Sequence, residues 1–240
     1  DASLRFATEG VALVHNLICG ALTCVGGGTG PRYTPYHMPH RTEVMGFMTV
    51  LHGDDRFYNN IFVQKWPSDD IITMHDSDDG FDTENRAAGT WMFDEYPTYD
   101  EWISQFDFSK PADMAKLYGA HEGKLPVWIE GNAYLGGAKP SKKDVNALIS
   151  DAAREDVRVE LVQKEDGYYL DTNVYELIEG FKNRMIDSDV LGKAFEPEER
   201  FENPDGTAIR LDSDYFGTHR GVDVIPGPFA GAEEAAKVLY

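Results

Sequence analysis

Three short apolar segments of this chain carry an asparagine at the same place, and this repetition limits the folds that the chain can form. Asparagine is depleted in ordinary β-strands, so its return inside apolar segments needs a physical cause. In a coiled solenoid each turn stacks on the one before, and equivalent amide side chains hydrogen-bond along the stack. The pattern therefore predicts an all-β fold built from stacked turns. The segments are residues 13–20 (LVHNLICG), 57–64 (FYNNIFVQ) and 129–136 (IEGNAYLG), with Asn16, Asn60 and Asn132 at the shared position.

The spacing of these asparagines predicts long excursions from the coil. Asn60 follows Asn16 by 44 residues, and Asn132 follows Asn60 by 72, and both intervals are too long for a single turn. We therefore interpret residues 1–140 as turns of the coil with one long excursion at 66–124. Within that excursion, residues 99–106 and 112–118 are predicted to form short helices. A solenoid with long loops on one side is typical of proteins that handle carbohydrates.

Residues 141–240 have a different pattern and are predicted to form a second, β-sandwich-like module. Residues 141–153 are polar and are predicted to be helical, with Ser141 as the N-cap. From Val157 onward apolar and polar residues alternate, and the turn formed by residues 165–167 (EDG) separates two such runs. This arrangement predicts an antiparallel hairpin.

The charge of the chain limits its partners. Asp and Glu total 42 against 22 Lys and Arg, which gives a formal net charge of −20. Nucleic acids and anionic membranes both require clustered cations, so neither is an expected partner. The charge fits a neutral or cationic ligand, although a generic acidic surface explains it as well. No apolar run reaches the roughly 20 residues of a membrane helix, and no signal peptide is recognisable, which weakly favours the cytoplasm.

Two segments near the N-terminus have residues that suit the recognition of a sugar. Glu9 precedes Gly10 before the first asparagine segment, and a carboxylate beside a glycine bend can project towards a ligand. From this pattern alone, a solvated glutamate at a strand edge is the more common outcome. Residues 33–43 (YTPYHMPHRTE) combine aromatic rings, histidines and an arginine with two prolines. Aromatic rings suit the apolar faces of a sugar, and bifunctional polar groups suit its hydroxyls. A rigid loop whose aromatics only pack is the competing interpretation.

Neither metal nor organic cofactor is predicted. Residues 52–56 (HGDDR) contain metal-ligand types, but such a run more often forms a turn closed by an Asp–Arg pair. Residues 76–84 (DSDDGFDTE) resemble a calcium loop only superficially, because position twelve is Ala87 where a bidentate glutamate is needed. A solvated acidic loop is the preferred interpretation, with weak calcium binding left open.

Five separated motifs, in order, resemble the C-terminal part of the β-xylosidases of glycoside hydrolase family 120. The resemblance runs through nearly all 240 residues. It implies a right-handed parallel β-helix combined with a β-sandwich, and an enzyme that releases xylose from the ends of xylo-oligosaccharides with retention. The motifs lie within residues 3–17, 34–40, 53–60, 131–140 and 202–217.

The resemblance also implies roles for particular residues. Glu9 matches the general acid/base of the family, whose nucleophilic Asp would precede Asp1 by about one coil turn. The expected partners are therefore an oligosaccharide substrate and the N-terminal part of the β-helix, either covalently continuous or as a separate chain. Self-association into a homo-oligomer is left open. The wall of the sugar pocket is assigned to Tyr36, His37, His40 and Arg41.

Two other classes of function compete with the hydrolase. A polysaccharide lyase on the same architecture would need a base and a cation that neutralises a uronate, and this acidic chain offers few of either near its coil. A non-catalytic carbohydrate-binding chain is the other alternative.

Overall fold

The structure is a computed structural model, and it describes residues 2–6, 8–24, 33–37, 40–49, 52–66, 87–107, 109–110, 124–195 and 198–239. Strands dominate the described residues and the helices are short, as the predicted all-β class requires. The strands are β1 (Ala2–Phe6), β2 (Ala12–Val14), β3 (Leu17–Ile18), β4 (Ala21–Cys24), β5 (Tyr33–His37), β6 (Val44–Thr49), β7 (Asp55–Tyr58), β8 (Ile61–Val63), β9 (Val127–Glu130), β10 (Ala133–Leu135), β11 (Leu148–Ile149), β12 (Val159–Lys164), β13 (Gly167–Thr172), β14 (Asn183–Arg184) and β15 (Asp223–Val224). The helices are α1 (Tyr99–Ile103), α2 (Val174–Leu177), α3 (Ser188–Leu191) and α4 (Ala232–Ala235), with single 3-10 turns at Trp91–Phe93 and Arg154–Asp156.

The strands around the three asparagines form parallel sheets. One sheet has the order β2-β7-β9, and a second has the order β11-β10-β8-β3. Every neighbouring pair in both sheets is parallel. β1 also pairs in parallel with β4, about one turn further along the chain. The chain therefore returns repeatedly to the same sheets, as the asparagine segments predict.

The predicted asparagine ladder is confirmed. Asn60 Oδ1 accepts hydrogen bonds from the main-chain N–H and from the side-chain amide of Asn16, at 2.9 and 3.0 Å. Asn132 Oδ1 accepts the same two bonds from Asn60, also at 2.9 and 3.0 Å. The amides of Asn60 and Asn132 donate onward to the carbonyl oxygens of Leu13 and Phe57. Because buried polar groups have to be hydrogen-bonded, the ladder explains why asparagine recurs inside apolar segments.

The residue before each ladder position turns the chain from one sheet to the next. His15, Asn59, Gly131 and Asn146 have φ values of 59°, 53°, 71° and 60°. This left-handed conformation favours glycine and asparagine over other residues. At Gly131 a Cβ atom would lie 2.7 Å from Asn59 Oδ1, so the close stacking of the corners also requires glycine there.

The predicted helix at 141–153 is wrong, because these residues continue the parallel sheets. Val145 bridges Glu130 in parallel, and β11 pairs with β10. Asp144 ends the asparagine ladder. Its Oδ2 accepts hydrogen bonds from the Asn132 amide at 3.1 Å and from the Tyr134 hydroxyl at 2.5 Å. These tertiary bonds outweigh the weak helical preference of a short polar segment.

A buried histidine at the first corner contributes to the pH dependence of stability. Burial, reinforced by Arg220, lowers the pKa of His15 to about 3. The unfolded chain takes up a proton near pH 6.5 and the folded chain does not, so this part of the stability is lost as the pH falls from about 6.5 towards 3. We expect wild type to lose about 1.4 kcal/mol per pH unit through His15. The slopes of wild type and of His15→Asn, whose asparagine suits the left-handed corner as Asn59 does, should differ by this amount in urea unfolding between pH 6.5 and 4. An identical slope in both proteins would contradict the assignment.

Apolar side chains fill the space between the parallel sheets. This core takes residues from β1, β3, β4, β7, β8, β9 and β10. Phe62 and Tyr134, one above the other on β8 and β10, stack with ring centroids 5.3 Å apart. Two further clusters cover the outer faces of the sheets with residues from the second half of the chain. Representative members of these outer clusters are Ile61, Leu135, Val174, Tyr175, Phe229, Tyr58, Ile186 and Leu191.

Antiparallel strand pairs occur in residues 157–240, as they do in the hairpin of β5 and β6. The predicted hairpin is confirmed, since β12 and β13 pair antiparallel from Val159↔Thr172 to Lys164↔Gly167. β14 and β15 also pair antiparallel. The division into a coil at 1–140 and a β-sandwich-like module at 141–240 stays a prediction. In the excursion at 66–124, α1 confirms the helix predicted at 99–106, whereas the helix predicted at 112–118 lies outside the described residues, as does the acidic loop at 76–84.

Candidate active site

Glu9 lies just before β2, at a corner stacked on the next turn of the chain. It forms a parallel bridge with Gly53, and the Gly10 N–H donates to the Gly53 carbonyl at 3.3 Å. The side chain of Glu9 is half-buried. The offset from Glu9 to Gly53 is the same 44 residues that separates Asn16 from Asn60. Extending the ladder backwards by seven residues would therefore have placed Glu9 above Gly53 from sequence alone.

Two glycines allow the turns at this corner to lie close together. Gly10 and Gly53 have φ values of 76° and 102°. A Cβ atom on Gly53 would lie 2.3 Å from the Leu125 carbonyl oxygen, so no other residue fits without moving the main chain. Gly53 and Leu125 are therefore closely stacked, and Glu9 is paired with Gly53 on the other side.

The predicted Asp–Arg pair is confirmed immediately beside this corner. Arg56 Nη1 donates to Asp54 Oδ1 at 2.7 Å, and both side chains are buried. The second oxygen, Asp54 Oδ2, accepts the Phe195 N–H at 2.8 Å. A Cβ atom built on Gly10 would lie 3.5 Å from Asp54 Oδ2, which shows how closely the pair approaches the Glu9 corner.

Arg56 connects the corner to the second half of the chain. Its Nε donates to the Leu191 carbonyl and its Nη2 to the Lys193 carbonyl, both at 2.7 Å. The guanidinium lies between two aromatic rings, 4.2 Å from the centroid of Trp128 and 4.7 Å from that of Phe201. Such flat stacking and forked donation suit arginine and not lysine.

Removing Arg56 should be strongly destabilising. In Arg56→Ala the Asp54 carboxylate would be left buried without its cation, and we expect a loss of about 3–5 kcal/mol in the free energy of unfolding. Arg184→Ala is the matched control, because the Arg184 side chain is 52% exposed in its pair with Glu130. That variant should lose no more than about 1 kcal/mol. Equal losses in urea unfolding would show that the buried Asp54–Arg56 pair contributes no more to stability than the exposed Arg184–Glu130 pair.

Asp55 is the first residue of β7, and its carboxyl group lies beside the Val11 main chain, close to Glu9. Its Oδ1 accepts the Val11 N–H at 3.2 Å. Burial is the largest cause that raises the pKa of this carboxyl, to about 8, and the nearby Asp54 raises it further. A neutral carboxyl at neutral pH is therefore expected against Val11, two residues along the chain from the candidate acid/base. The sequence around Asp55 predicts only a turn, because the burial that sets the pKa of this carboxyl comes from tertiary packing.

The four residues assigned to a sugar pocket lie on or beside one antiparallel hairpin. β5 and β6 form this hairpin, with Tyr36 and His37 on β5 and His40 and Arg41 in the connection. His37 and Arg41 are exposed. The side chain of Tyr36 lies outside the described part of the structure. The hairpin therefore holds the four residues together, but their assignment to a pocket stays a prediction.

His40 ties the hairpin to the second half of the chain. Its Nε2 lies 2.6 Å from Glu202 Oε1, although 162 residues separate the two. His37 Nδ1 lies 3.2 Å from the Glu43 carbonyl oxygen within the hairpin itself. Two of the motifs that carry the family resemblance, at 34–40 and 202–217, are thus brought into contact. No sequence pattern linked these two motifs to each other.

A separate cleft of about 390 Å³ lies on the antiparallel hairpin of the second half, between β12, β13, α2 and α4. None of the predicted site residues lines it. Among the described residues no group of three or more His, Cys, Asp or Glu side chains is arranged to hold a metal ion. The helices in the described ranges are all too short or too polar to cross a bilayer.

Comparison with known proteins identifies one informative similarity. Among solved structures, the chain is similar to XylC in its complex with xylose, with a TM-score of 0.75 and 29% sequence identity. The match covers 94% of this chain and 32% of the XylC chain, so this chain spans about a third of the length of XylC. No family profile matches the sequence, and no curated protein does so either. The strand-dominated, largely parallel fold is therefore shared with a protein that binds xylose.

Proposed function

We propose that this chain is the C-terminal part of a retaining exo-glycosidase of the β-xylosidase type. Its parallel sheets, which include residues 141–149, would be the last turns of a right-handed parallel β-helix, and the rest of 141–240 a β-sandwich-like module packed against them. The observation that carries this proposal is the similarity to the xylose complex of XylC over 94% of the chain. The five motifs shared with family 120 support the same conclusion.

The open end of the asparagine ladder supports a preceding coil turn as the partner. Asn60 Oδ1 and Asn132 Oδ1 each accept two hydrogen bonds from the turn before. Within the described residues nothing donates to Asn16 Oδ1, and β2 and β3 are edge strands of their sheets. A further turn stacked on this edge, in the same polypeptide or a separate one, would satisfy the acceptor and pair both strands.

Glu9 would supply the proton in such an enzyme. Retaining hydrolysis needs two carboxyl groups roughly 5–5.5 Å apart, one as nucleophile and one as acid/base. Glu9 lies at the edge where the preceding turn would stack, so a neighbouring turn can present the nucleophilic carboxylate beside it. Glu9 would first donate its proton to the leaving glycosidic oxygen. It would then take a proton from the water that hydrolyses the glycosyl-enzyme.

The hairpin of β5 and β6 would form the wall of the xylose pocket. Tyr36, His37, His40 and Arg41 combine a flat apolar surface with donors and acceptors for hydroxyl groups. The contact between His40 and Glu202 would fix the hairpin against the second half of the chain. That contact explains why the 202–217 motif occurs together with the 34–40 motif.

The direct test is an assay of this chain together with the preceding coil, either fused or as a second polypeptide. Aryl β-xylosides and xylobiose should both be hydrolysed. Release of an unsaturated uronide from a polyuronate, seen by its ultraviolet absorbance, would instead identify a lyase. Binding on a glycan array without turnover of any substrate would identify a non-catalytic carbohydrate-binding protein.

A further inference from the structure

The main-chain hydrogen bonds between β2 and β7 are interrupted beside Glu9, and a side chain supplies the missing acceptor. In a regular parallel ladder the Val11 N–H would donate to a main-chain carbonyl of the neighbouring strand. Asp54 has φ 56°, and its carbonyl accepts instead from the Arg56 guanidinium. The Val11 N–H is left with the Asp55 carboxyl, whose Oδ1 lies 3.2 Å away.

An acidic residue is an unexpected choice for this position. The Asp55 residue is only 1% exposed, and the residue paired with it on β9 is Val127. Burying a carboxyl group costs free energy unless it is hydrogen-bonded. Within the described part of the chain, the bond from Val11 is the one hydrogen bond that this carboxyl makes. The adjacent turn is already held by Asp54 and Arg56, so holding that turn does not explain Asp55.

We propose that Asp55 is a positioning residue for Glu9, acting through the hydrogen bond that its carboxyl accepts from the Val11 main chain. Two hydrogen bonds of the Glu9 corner are those from the Gly10 N–H to the Gly53 carbonyl and from the Val11 N–H to Asp55. Of these two contacts, only the second depends on a side chain. Loss of that contact would free the segment that directs Glu9 towards the leaving oxygen, and misplacement by about 1 Å is enough to slow proton transfer about 100-fold. This inference rests on the proposed role of Glu9.

The protonation of Asp55 determines which substitution preserves its role. The charged groups beside it are Asp54, which raises its pKa, and Arg56, which lowers it; burial is larger than either effect, and the pKa is about 8. At pH 7 the carboxyl is therefore neutral and acts as an acceptor. Asparagine has nearly the same shape, is neutral and keeps the acceptor oxygen. Leucine has a similar volume but no acceptor.

The test compares Asp55→Asn with Asp55→Leu in the chain joined to the preceding coil. We expect Asp55→Asn to keep kcat for xylobiose within about 3-fold of wild type, whereas Asp55→Leu should lose about 10–100-fold in kcat with KM nearly unchanged. The pH profile should also change in Asp55→Leu, because a displaced Glu9 has a different pKa. A folded Asp55→Leu enzyme with normal kcat and an unchanged pH profile would overturn the inference. Equal losses in both variants would also overturn it, because the charge and not the acceptor would then matter.

A second measurement avoids any dependence on core packing. Replacing the Val11 amide by an ester removes the N–H donor and leaves every side chain in place. The ester protein should show the same loss of kcat as Asp55→Leu, and normal kcat would overturn the inference. Glu9→Gln, assayed in parallel, distinguishes a failure of the Asp55 inference from a failure of the proposed function. If Glu9→Gln is inactive while the ester protein is fully active, only the role of Asp55 is refuted. If Glu9→Gln is fully active, the proposed function is refuted.

Discussion

Replacing Glu9 by glutamine should reduce kcat for xylobiose by about 10²–10⁴-fold, the range expected when a general acid/base is removed. Glutamine keeps the size of the side chain but cannot donate a proton to the glycosidic oxygen or take one from water. Hydrolysis of xylobiose by the chain joined to its preceding coil measures the effect. KM should change much less than kcat, because the lost interaction is made in the transition state.

The leaving group provides the control for this prediction. A dinitrophenyl xyloside needs little help from an acid, so its first step should be nearly as fast in Glu9→Gln as in wild type. The variant should then show a burst of dinitrophenol followed by slow turnover, because the second step still needs a base. Glu160→Gln on β12, where the side chain is exposed, should leave both substrates unaffected. A Glu9→Gln enzyme with near-normal turnover of xylobiose would contradict the assignment.

Replacing Asn60 by alanine should cause a large loss of stability, about 3–5 kcal/mol in the free energy of unfolding. The Asn60 side chain is fully buried. Its amide donates to Asn132 Oδ1 and the Leu13 carbonyl, and its oxygen accepts two bonds from Asn16. Alanine would leave the buried Asn132 and the half-buried Asn16 and Leu13 without these hydrogen bonds and would open a small cavity. Urea unfolding followed by circular dichroism measures the loss.

Asn203→Ala is the matched control for this substitution. Asn203 also uses its amide in two hydrogen bonds, to Thr207 and Ala208, but it lies in an exposed turn. Water replaces these partners when the side chain is removed, so a loss of no more than about 1 kcal/mol is expected. Similar losses for Asn60→Ala and Asn203→Ala would mean that the ladder does not hold the turns together.

The repeated asparagines were sufficient to predict the stacked parallel strands, because the ladder is a direct consequence of one residue type recurring at one place. The fourth turn was missed because its ladder position is occupied by Ala147. Asp144, three residues earlier, supplies the acceptor instead. A polar side chain outside the repeat therefore ended the ladder, and the sequence pattern around it resembled a helix. Stacking at residues 141–149 became evident only from the pairing of β10 with β11.

The candidate site could be predicted only in part. The Asp54–Arg56 pair follows from a local pattern, the role of Glu9 is implied by the family resemblance, and the 44-residue offset brings the two together. The contact between His40 and Glu202 joins residues 162 positions apart, and no spacing rule predicts it. The raised pKa of Asp55 results from burial by several segments of the chain. Packing of this kind is a property of the folded molecule and is not encoded in any short motif.

The stereochemistry of azide rescue is the measurement that decides the role of Glu9. In a Glu9→Ala variant assayed with a dinitrophenyl β-xyloside, azide can enter the space left by the carboxyl and attack the glycosyl-enzyme without help from a base. Because that intermediate has already been inverted once, the second inversion should give β-xylosyl azide, which proton NMR identifies. Faster turnover in azide with the β-product is the expected result. Formation of α-xylosyl azide would make Glu9 the nucleophile, and near-normal hydrolysis without azide would remove Glu9 from the chemistry altogether.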